Sequence, residues 1–348
     1  MQQQYVGGVA TPADRKHFER ILRIAKARGA IITTHDTPDV DGIGAAFAFQ
    51  RYLGKNGATA DIATGKTIPL TDPLVERLGM KLMGWHLIAT SDARPIIAVD
   101  TNTASLLSGC KKNEILAIID HHGLSKPELE AKFRIIKEKA VSVCEVLASL
   151  IPEGDIDRVS ALALAVGIAG DSEQLKDIDR DTLSIFDALV AKSGESKSAI
   201  DALACPPLKP DVIAIVLEEM RHLHTESYRG KVISVGASGL ESPAILATKV
   251  KDMDVPIVAI LGLIGAGATA EENWYKVSFR VRHPEVYQGI RASDIARRSS
   301  ERCRMPADML GGGHEAKAAA VIRGTYDNIV RAVLDAAKES IDRADRKV

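Results

Sequence analysis

Short apolar runs that alternate with helical segments constrain the fold of the first half of the chain more than any other feature. Four such runs are rich in β-branched residues and short enough to be buried strands, namely 30–34, 59–64, 95–101 and 115–123. Segments with apolar residues at helical spacing, such as 11–28, precede, separate and follow them. Continuous apolar strands that alternate with helices predict an α/β fold with a parallel, doubly wound sheet.

Acidic and histidine residues stand where three of these predicted strands end. The segment "HDTPDVDG" (35–42) follows the first strand, the third ends at Asp100, and the fourth ends in "DHH" (120–122). A later apolar helix stops at Asp171. Because ligands of such sheets bind outside the carboxyl ends of the strands, we expect these side chains to meet at one edge. The predicted site residues at this edge are His35, Asp39, Asp41, Asp100, Asp120, His121, His122 and Asp171.

Crowded carboxylates in an apolar setting raise one another's pKa unless cations neutralise them. About four negative charges match two divalent metal ions. Oxygen ligands mixed with imidazole favour Mn²⁺, with Mg²⁺ or Co²⁺ as alternatives. Each segment by itself also fits a polar turn or a helix cap, so the joint occurrence is what predicts a two-metal site.

The length of 348 residues exceeds what one core usually holds, which predicts two domains. We expect a metal-binding catalytic domain over 1–204, a linker over 205–215 that contains "CPPLKP", and a smaller α/β domain over 216–348. In the second domain the predicted strands are 231–237, 243–250, 255–265 and 274–282, and the predicted helices are 292–304 and 325–344.

Composition excludes several general classes of protein. A formal net charge of −1 gives the whole chain no generic affinity for nucleic acid or anionic membranes. Four scattered cysteines fit a reduced compartment, without a disulfide framework or a zinc cluster. No run approaches the roughly 20 apolar residues of a membrane span. We therefore expect a cytoplasmic protein with no membrane partner, and the oligomeric state, a homodimer included, is left open.

The polar motifs resemble those of the DHH phosphoesterase family, which includes RecJ-like exonucleases, short-oligonucleotide nucleases and cyclic-dinucleotide phosphodiesterases. A His-x-x-Pro-Asp-x-Asp pattern begins at His35, and the second motif is Asp100 in "AVDT". The third is Asp120-His121-His122, and the fourth is Asp171. The sequence departs from the family pattern at Ala45, where a serine is usual after the helix glycine.

The resemblance implies a role for each residue of the set. His35, Asp39 and Asp100 would hold one metal, and Asp41, Asp100, His121 and Asp171 would hold the other. His122 would contact the scissile phosphate, and Asp120 would orient its neighbours.

A glycine-rich segment marks the second domain. Gly311, Gly312 and Gly313 could form an anion nest of backbone N–H groups, followed by the side-chain donor of His314, although a flexible turn before a helix explains them equally well. The segment resembles the GGGH signature of one DHH subfamily, and Arg280 resembles that family's phosphate-binding strand arginine. The substrate-binding prediction therefore comprises Arg280, Gly311, Gly312, Gly313 and His314, while Lys317 and Ala319 depart from the small residues and glycine usual there.

Together these patterns predict a Mn-dependent hydrolase with its active site in the cleft between the two domains. It would cleave phosphodiester or phosphomonoester bonds of short oligonucleotides or small nucleotides with a water activated by two metals. Aromatic residues make up only 4% of the chain, which disfavours an extended stacking platform for long strands. The alternatives are a cyclic-dinucleotide phosphodiesterase and a non-catalytic nucleotide- or nucleic-acid-binding protein; the GGGH segment disfavours an inorganic pyrophosphatase.

Overall fold

The computed structural model shows two compact units, Met1–Pro207 and Leu208–Val348. The residues that it describes are 9–36, 38–65, 70–88, 92–107, 115–123, 129–176, 178–240, 242–313 and 315–346.

The first unit is built on a six-stranded sheet whose neighbouring strands all run parallel. The strands are β1 Ala30–Thr33, β2 Ala60–Thr64, β3 Leu82–Gly84, β4 Ile96–Val99, β5 Ile115–Asp120 and β6 Phe133–Ile136. The helices are α1 Pro12–Arg28, α2 Val40–Lys55, α3 Asp72–Leu78, α4 Val143–Leu150, α5 Arg158–Asp171, α6 Arg180–Ser193 and α7 Lys197–Ala204. The parallel α/β fold predicted from the sequence is confirmed.

The strand order of this sheet, β3-β2-β1-β4-β5-β6, reverses direction between β1 and β4. At such a point the connections leave the sheet in opposite directions and open a crevice beyond the carboxyl ends of the strands. The largest core lies between one face of the sheet and helices α1, α2 and α4, and it extends to α5, which packs on α2 and α4. The opposite face carries smaller apolar clusters around Trp85 and Leu107.

The second unit contains a mixed six-stranded sheet of order β11-β12-β10-β9-β8-β7. Its strands are β7 His224–Tyr228, β8 Lys231–Ser238, β9 Ile257–Gly265, β10 Trp274–Val281, β11 Gly312–Gly313 and β12 Lys317–Arg323. Its helices are α8 Pro210–Arg221, α9 Pro243–Asp252, α10 His283–Tyr287, α11 Ala292–Arg302 and α12 Tyr326–Asp345. Only β8 and β9 pair in parallel; the other pairs among these described strands are antiparallel.

Two segments differ from their sequence predictions. Residues 243–250, predicted as a strand, form most of helix α9, because Pro243 suits a first helical turn and Leu246, Ala247 and Val250 repeat at helical spacing in the core. The second half of the predicted linker 205–215 is helical from Pro210 onward, because a proline suits the first turn of a helix here as well. None of the described helices is both long and apolar enough to cross a membrane.

Helix α1 is fixed to the sheet by a charged capping box. Thr11 accepts the N–H of Asp14, and Asp14 accepts the N–H of Thr11 at 2.7 Å. Asp14 also pairs with Lys137, which directly follows β6. Burial by itself raises the pKa of Asp14, but the hydrogen bonds from Lys137 and Thr11 outweigh it, so the pKa lies below its ordinary value of 3.8.

We expect Asp14→Asn to lower the free energy of unfolding by about 1 kcal/mol at neutral pH, the usual size of a helix cap. Because the folded pKa of Asp14 is below the unfolded one, its contribution is present above roughly pH 4 and is lost as pH falls through the folded value. Urea unfolding at several pH values measures this, with Asp181→Asn as an exposed first-turn control. An equal loss at all pH values would contradict a role for the charge.

Candidate metal centre

The structure gathers the predicted metal-ligating side chains at the crevice where the strand order reverses. His35 follows β1, Asp100 follows β4, and His121 follows β5, while Asp171 is the last residue of α5. Their ligand atoms form three groups, and within each group the atoms lie within 4.8 Å of one another. The groups are His35, Asp39 and Asp100; Asp41, His121 and Asp171; and Asp100, His121 and His122.

Asp100 lies between the other ligands. Its Oδ2 is 3.5 Å from His35 Nε2, and its Oδ1 is 3.5 Å from His121 Nε2 and 3.6 Å from His122 Nδ1. The Asp100 backbone N–H donates to Ile119 O, which ties the residue to β5. Its φ of 60° is unusual for a residue with a side chain, and such conformations concentrate at functional sites. Among the described residues, Asp100 is therefore the one carboxylate that belongs to two of the three groups.

Asp39 and Asp41 lie at the start of α2 and have different surroundings. Asp39 is the N-cap of the helix, and its Oδ1 accepts the N–H groups of Asp41 and Gly42. Asp41 is fully buried, and its two carboxylate oxygens accept N–H groups from Val143 at 2.7 Å and Cys144 at 3.0 Å. These N–H groups belong to the first turn of α4, whose positive end favours a carboxylate.

Glycines allow α2 and α5 to approach closely beside these ligands. A Cβ on Gly42 would lie 2.4 Å from Thr34 Oγ1 and 3.0 Å from Asp100 Oδ2. A Cβ on Gly167 would lie 2.3 Å from Cys144 Sγ and 2.8 Å from Asp41 Oδ1. Any side chain at either position would push a carboxylate out of place, so these two glycines are a geometric requirement of the site.

His121 is oriented by a backbone carbonyl. Its Nδ1 lies 3.2 Å from Ala140 O, so an N–H at Nδ1 donates there. Its Nε2 consequently faces the carboxylates, 3.2 Å from Asp171 Oδ2 and 3.7 Å from Asp41 Oδ2. Fixing one ring nitrogen with a hydrogen bond is how proteins orient the other as a metal ligand.

The turn that connects β6 to α4, residues 140–145, therefore positions two candidate ligands at once. Its carbonyl at Ala140 orients His121, and its N–H groups at Val143 and Cys144 hold Asp41. This turn was not predicted as part of the site, because backbone groups carry no residue signature. The only sequence signal for it is the Ser-x-x-Glu pattern of a capping box.

Glu145 fixes the shape of this turn. Its side chain is 1% exposed; Oε2 accepts the N–H of Val141 at 2.8 Å, and Oε1 accepts the hydroxyl of Thr182 at 3.0 Å. Ser142 Oγ in turn accepts the Glu145 N–H. Burial raises the pKa of Glu145, and the hydrogen bonds from Val141 and Thr182 offset part of that rise. Glu145 thus connects α4 to α6 without contacting any candidate metal ligand itself.

Asp120 and His122 form a separate pair at the edge of the site. Asp120 Oδ1 accepts the backbone N–H groups of His121 and His122 and lies 2.8 Å from His122 Nδ1. Asp120 is fully buried, whereas the His122 side chain is 32% exposed. Burial lowers the pKa of His122, but the Asp120 carboxylate raises it more, so the net shift favours the imidazolium. Asp120 therefore fixes the orientation of the His122 ring through Nδ1.

The electrostatics of the site fit divalent cations. Burial, and then the charges of Asp100 and Asp171, raise the pKa of Asp41 well above its ordinary value and raise that of Asp39. Burial lowers the pKa of His121, but Asp100 and Asp171 raise it more. Asp100 Oδ1 is buried without a hydrogen-bond donor among the described residues. This set of carboxylates and imidazoles is suited to a cation such as Mn²⁺.

In the second unit, Arg280 lies on β10 opposite Lys317 of β12. Its Nε donates to Thr248 Oγ1 at 3.2 Å, and its Nη1 donates to Phe279 O at 2.9 Å. Burial, and then the charge of Arg280, lowers the pKa of Lys276, four residues earlier on the same strand. The two basic side chains therefore share one face of the sheet.

The glycine segment contains the short strand β11, and strand β12 follows it, so a flexible turn before a helix does not describe this segment. Gly311 donates its N–H to Ser300 Oγ, while Gly312 and Gly313 pair with β12 as a short strand. The glycines are needed for close approach: a Cβ on Gly311 would lie 2.6 Å from Ala320 Cβ, and one on Gly313 would lie 2.6 Å from Lys317 O. His314 lies outside the described residues.

Comparison with known proteins agrees with this architecture. The family model described as DHH family, N-terminal domain, matches residues 30–168. An uncharacterized protein of Methanocaldococcus jannaschii is 28% identical over 192 residues, which cover 53% of this chain and 39% of that protein. The chain thus spans 39% of the length of this curated relative.

Solved structures share the fold over nearly the whole chain. An exopolyphosphatase-related protein from Bacteroides fragilis has a TM-score of 0.71 at 14% identity and covers 96% of this chain and 98% of its own. RecJ in complex with Mn²⁺ from Thermus thermophilus has a TM-score of 0.51 at 14% identity, covering 98% of this chain and 57% of its own. At these identities the likeness concerns the fold alone. Residues 30–168 thus match the N-terminal domain of the DHH family, and the four motifs of the sequence lie at one crevice of that region or directly after it.

Proposed function

We propose that this protein is a metal-dependent phosphoesterase that hydrolyses phosphodiester or phosphomonoester bonds of short oligonucleotides or small nucleotides. The observation that carries the proposal is Asp100, a buried carboxylate in a left-handed conformation between two groups of ligands. A carboxylate placed in this way is suited to bridge two cations. The match of residues 30–168 to the DHH family N-terminal domain and the fold shared with RecJ support the same reaction class.

Two divalent cations would be held by the residues already described. His35, Asp39 and Asp100 would hold one, and Asp41, Asp100, His121 and Asp171 the other. Such a pair, when bound, supplies an activated water and neutralises charge that develops on phosphorus. Mn²⁺ is the cation we propose first, because imidazole and carboxylate ligands are mixed in both groups.

His122 would contact the phosphate that is cleaved. Asp120 holds its Nδ1, and the Asp120 carboxylate raises the pKa of His122, which favours the charged form of this donor at the edge of the site. A fixed donor of this kind stabilises negative charge that develops on phosphate oxygens in the transition state. Asp120 itself would act through His122 and the His121 backbone and would not bind a cation.

The second unit would bind the anionic end of the substrate through Arg280. A guanidinium can contact a phosphate with two N–H groups at once, which suits it to this task. Further contacts of the substrate with Gly311–Gly313 and His314 are predicted from the sequence.

The test of this function is a substrate panel with purified protein and added Mn²⁺. It compares dinucleotides, oligomers of increasing length in RNA and DNA, a cyclic dinucleotide, 3′-phosphoadenosine 5′-phosphate and pyrophosphate. We expect metal-dependent turnover that is fastest with the short linear substrates or the bisphosphate. Retained nucleotide binding without any metal-dependent turnover would instead indicate a non-catalytic binding protein.

Asp100→Asn should lower turnover on the order of 10³-fold, since several kcal/mol of transition-state stabilisation depend on the cations that Asp100 would bridge. The variant should also retain less Mn²⁺ after dialysis, measured by elemental analysis. Asp36→Asn, on the same loop as His35 and Asp39 but outside all three ligand groups, is the matched control. Wild-type activity and metal content in Asp100→Asn would refute the two-metal arrangement.

Glu145→Ala should weaken Mn²⁺ binding by roughly 10- to 100-fold, the usual effect of removing a residue that orients metal ligands. Glu145→Gln should bind Mn²⁺ nearly as well as wild type, because its amide oxygen can still accept the N–H of Val141 and its NH₂ can donate to Thr182 Oγ1. Isothermal titration calorimetry with Mn²⁺ measures both affinities, and circular dichroism checks that both variants fold. A folded Glu145→Ala protein with wild-type affinity would remove Glu145 from this role.

Arg280→Ala should raise KM about tenfold or more while the amount of bound metal stays constant, since Arg280 lies outside all three ligand groups. Arg282→Ala is the matched control, because Arg282 is occupied by Asp254 and Glu285. Steady-state kinetics on the best substrate of the panel, together with elemental analysis, separates the two effects. Loss of metal in Arg280→Ala would contradict the proposed division between ligand and substrate residues.

A further inference from the structure

A cavity of about 560 Å³ lies within the second unit and contains none of the candidate metal ligands. Three segments line it: 302–304 after the end of α11, 323–324 at the end of β12, and the 328–335 stretch of α12. Four of the lining residues are arginines, namely Arg302, Arg304, Arg323 and Arg331. The only acidic residue among the described lining residues is Asp335.

Two of the four arginines have a carboxylate partner, and neither pair is exclusive and close at once. Arg302 shares Glu339 with Arg298 and Arg343, so three guanidinium groups surround one carboxylate. Arg323 lies 3.6 Å from Glu272 in an exposed pair.

The other two arginines of the cavity have fewer ion-pair partners than Arg302 and Arg323. Among the described residues, no carboxylate oxygen lies within 4.0 Å of the Arg304 or Arg331 guanidinium, although Asp335 lines the same cavity. Arg297, outside the cavity, shows the ordinary alternative: it is exposed and paired with both Asp294 and Glu301 on its own helix. Because the whole chain has a net charge of −1, the surplus at the cavity is a local feature.

The rest of the lining favours phosphate over a nucleobase as the group recognised. Asn328 and Arg331 lie on one stripe of α12 and offer an amide and a guanidinium to the same space. Ile329 and Ala332, both buried, form an apolar floor between them. No aromatic ring is among the described lining residues, so a base would find no aromatic side chain to stack on.

We propose that this cavity is a binding site for an oligophosphate anion, with Arg304 and Arg331 as its principal ligands. The guanidinium fork matches phosphate oxygens, and several phosphates in one ligand would balance several arginines at once. Such a group occurs both in nucleoside triphosphates and in inorganic polyphosphate. The inference goes beyond the proposed phosphoesterase activity and does not depend on it.

The test measures binding to the full-length protein in EDTA, so that the metal centre contributes no cation. Inorganic tripolyphosphate and ATP are titrated separately by calorimetry. We expect the double variant Arg304→Gln/Arg331→Gln to weaken binding at least tenfold, because two charge-assisted contacts are lost. Arg297→Gln, an exposed arginine outside the cavity, and Asp100→Asn, in the first unit, should leave affinity unchanged. Circular dichroism of each variant confirms that the fold is retained.

The two ligands distinguish the source of the phosphates. Arginine-dependent binding of both supports recognition of the phosphate chain itself, and arginine-dependent binding of ATP alone supports a nucleotide. Binding that survives the double variant, or that is lost in Asp100→Asn, would overturn the proposal. The proposal would also be overturned if neither tripolyphosphate nor ATP bound to the protein. If neither binds but a six-nucleotide single-stranded RNA binds in an arginine-dependent way, the surface is a nucleic-acid contact instead.

Discussion

Burial of several carboxylates at one end of a parallel sheet is the constraint on which the rest of the first unit depends. Asp41 and Asp100 are almost fully buried, and their mutual repulsion would expel them into solvent if nothing opposed it. Two features of the backbone oppose it: the N–H groups of the first turn of α4, and the left-handed conformation that aims Asp100 inward. Glycine at positions 42 and 167 follows, because a Cβ there would crowd Asp100 and Asp41, respectively.

How much of this could be predicted from the sequence depends on which chemical groups carry the information. The parallel sheet and the gathering of His35, Asp100 and His121 at one edge follow from apolar runs that end in polar side chains, and the structure places these residues together. The turn 140–145 could not be found in this way, because it acts through the carbonyl of Ala140 and the N–H groups of Val143 and Cys144. Backbone N–H and carbonyl groups are present in nearly every amino acid, and whether they orient a ligand depends on where the tertiary fold places them.

The wrong prediction of a strand at residues 243–250 in the second unit has a similar physical origin. Residues 243–250 combine an apolar composition with a length that suits either a strand or a short helix, and packing against β9 and β10 selects the helix. For the glycine segment the sequence left two possibilities, an anion nest of backbone N–H groups and a flexible turn before a helix. Gly312 and Gly313 pair with Ala319 and Ala318 of β12, where the absence of a side chain permits close backbone approach. Glycine allows both outcomes, so composition by itself could not separate them.

The buried carboxylates have imidazole partners and no lysine or arginine partner among the described residues, and this difference affects which ions the site can bind. The side-chain nitrogens within 4 Å of Asp41 and Asp100 among the described residues belong to histidines. A lysine or arginine there would neutralise the carboxylates permanently and exclude a divalent cation by charge. The carboxylates raise the pKa of the His121 imidazole, which favours its protonated form beside them, whereas the neutral imidazole is the form that binds a metal. The same side chain can therefore pair with the carboxylates or serve as a ligand.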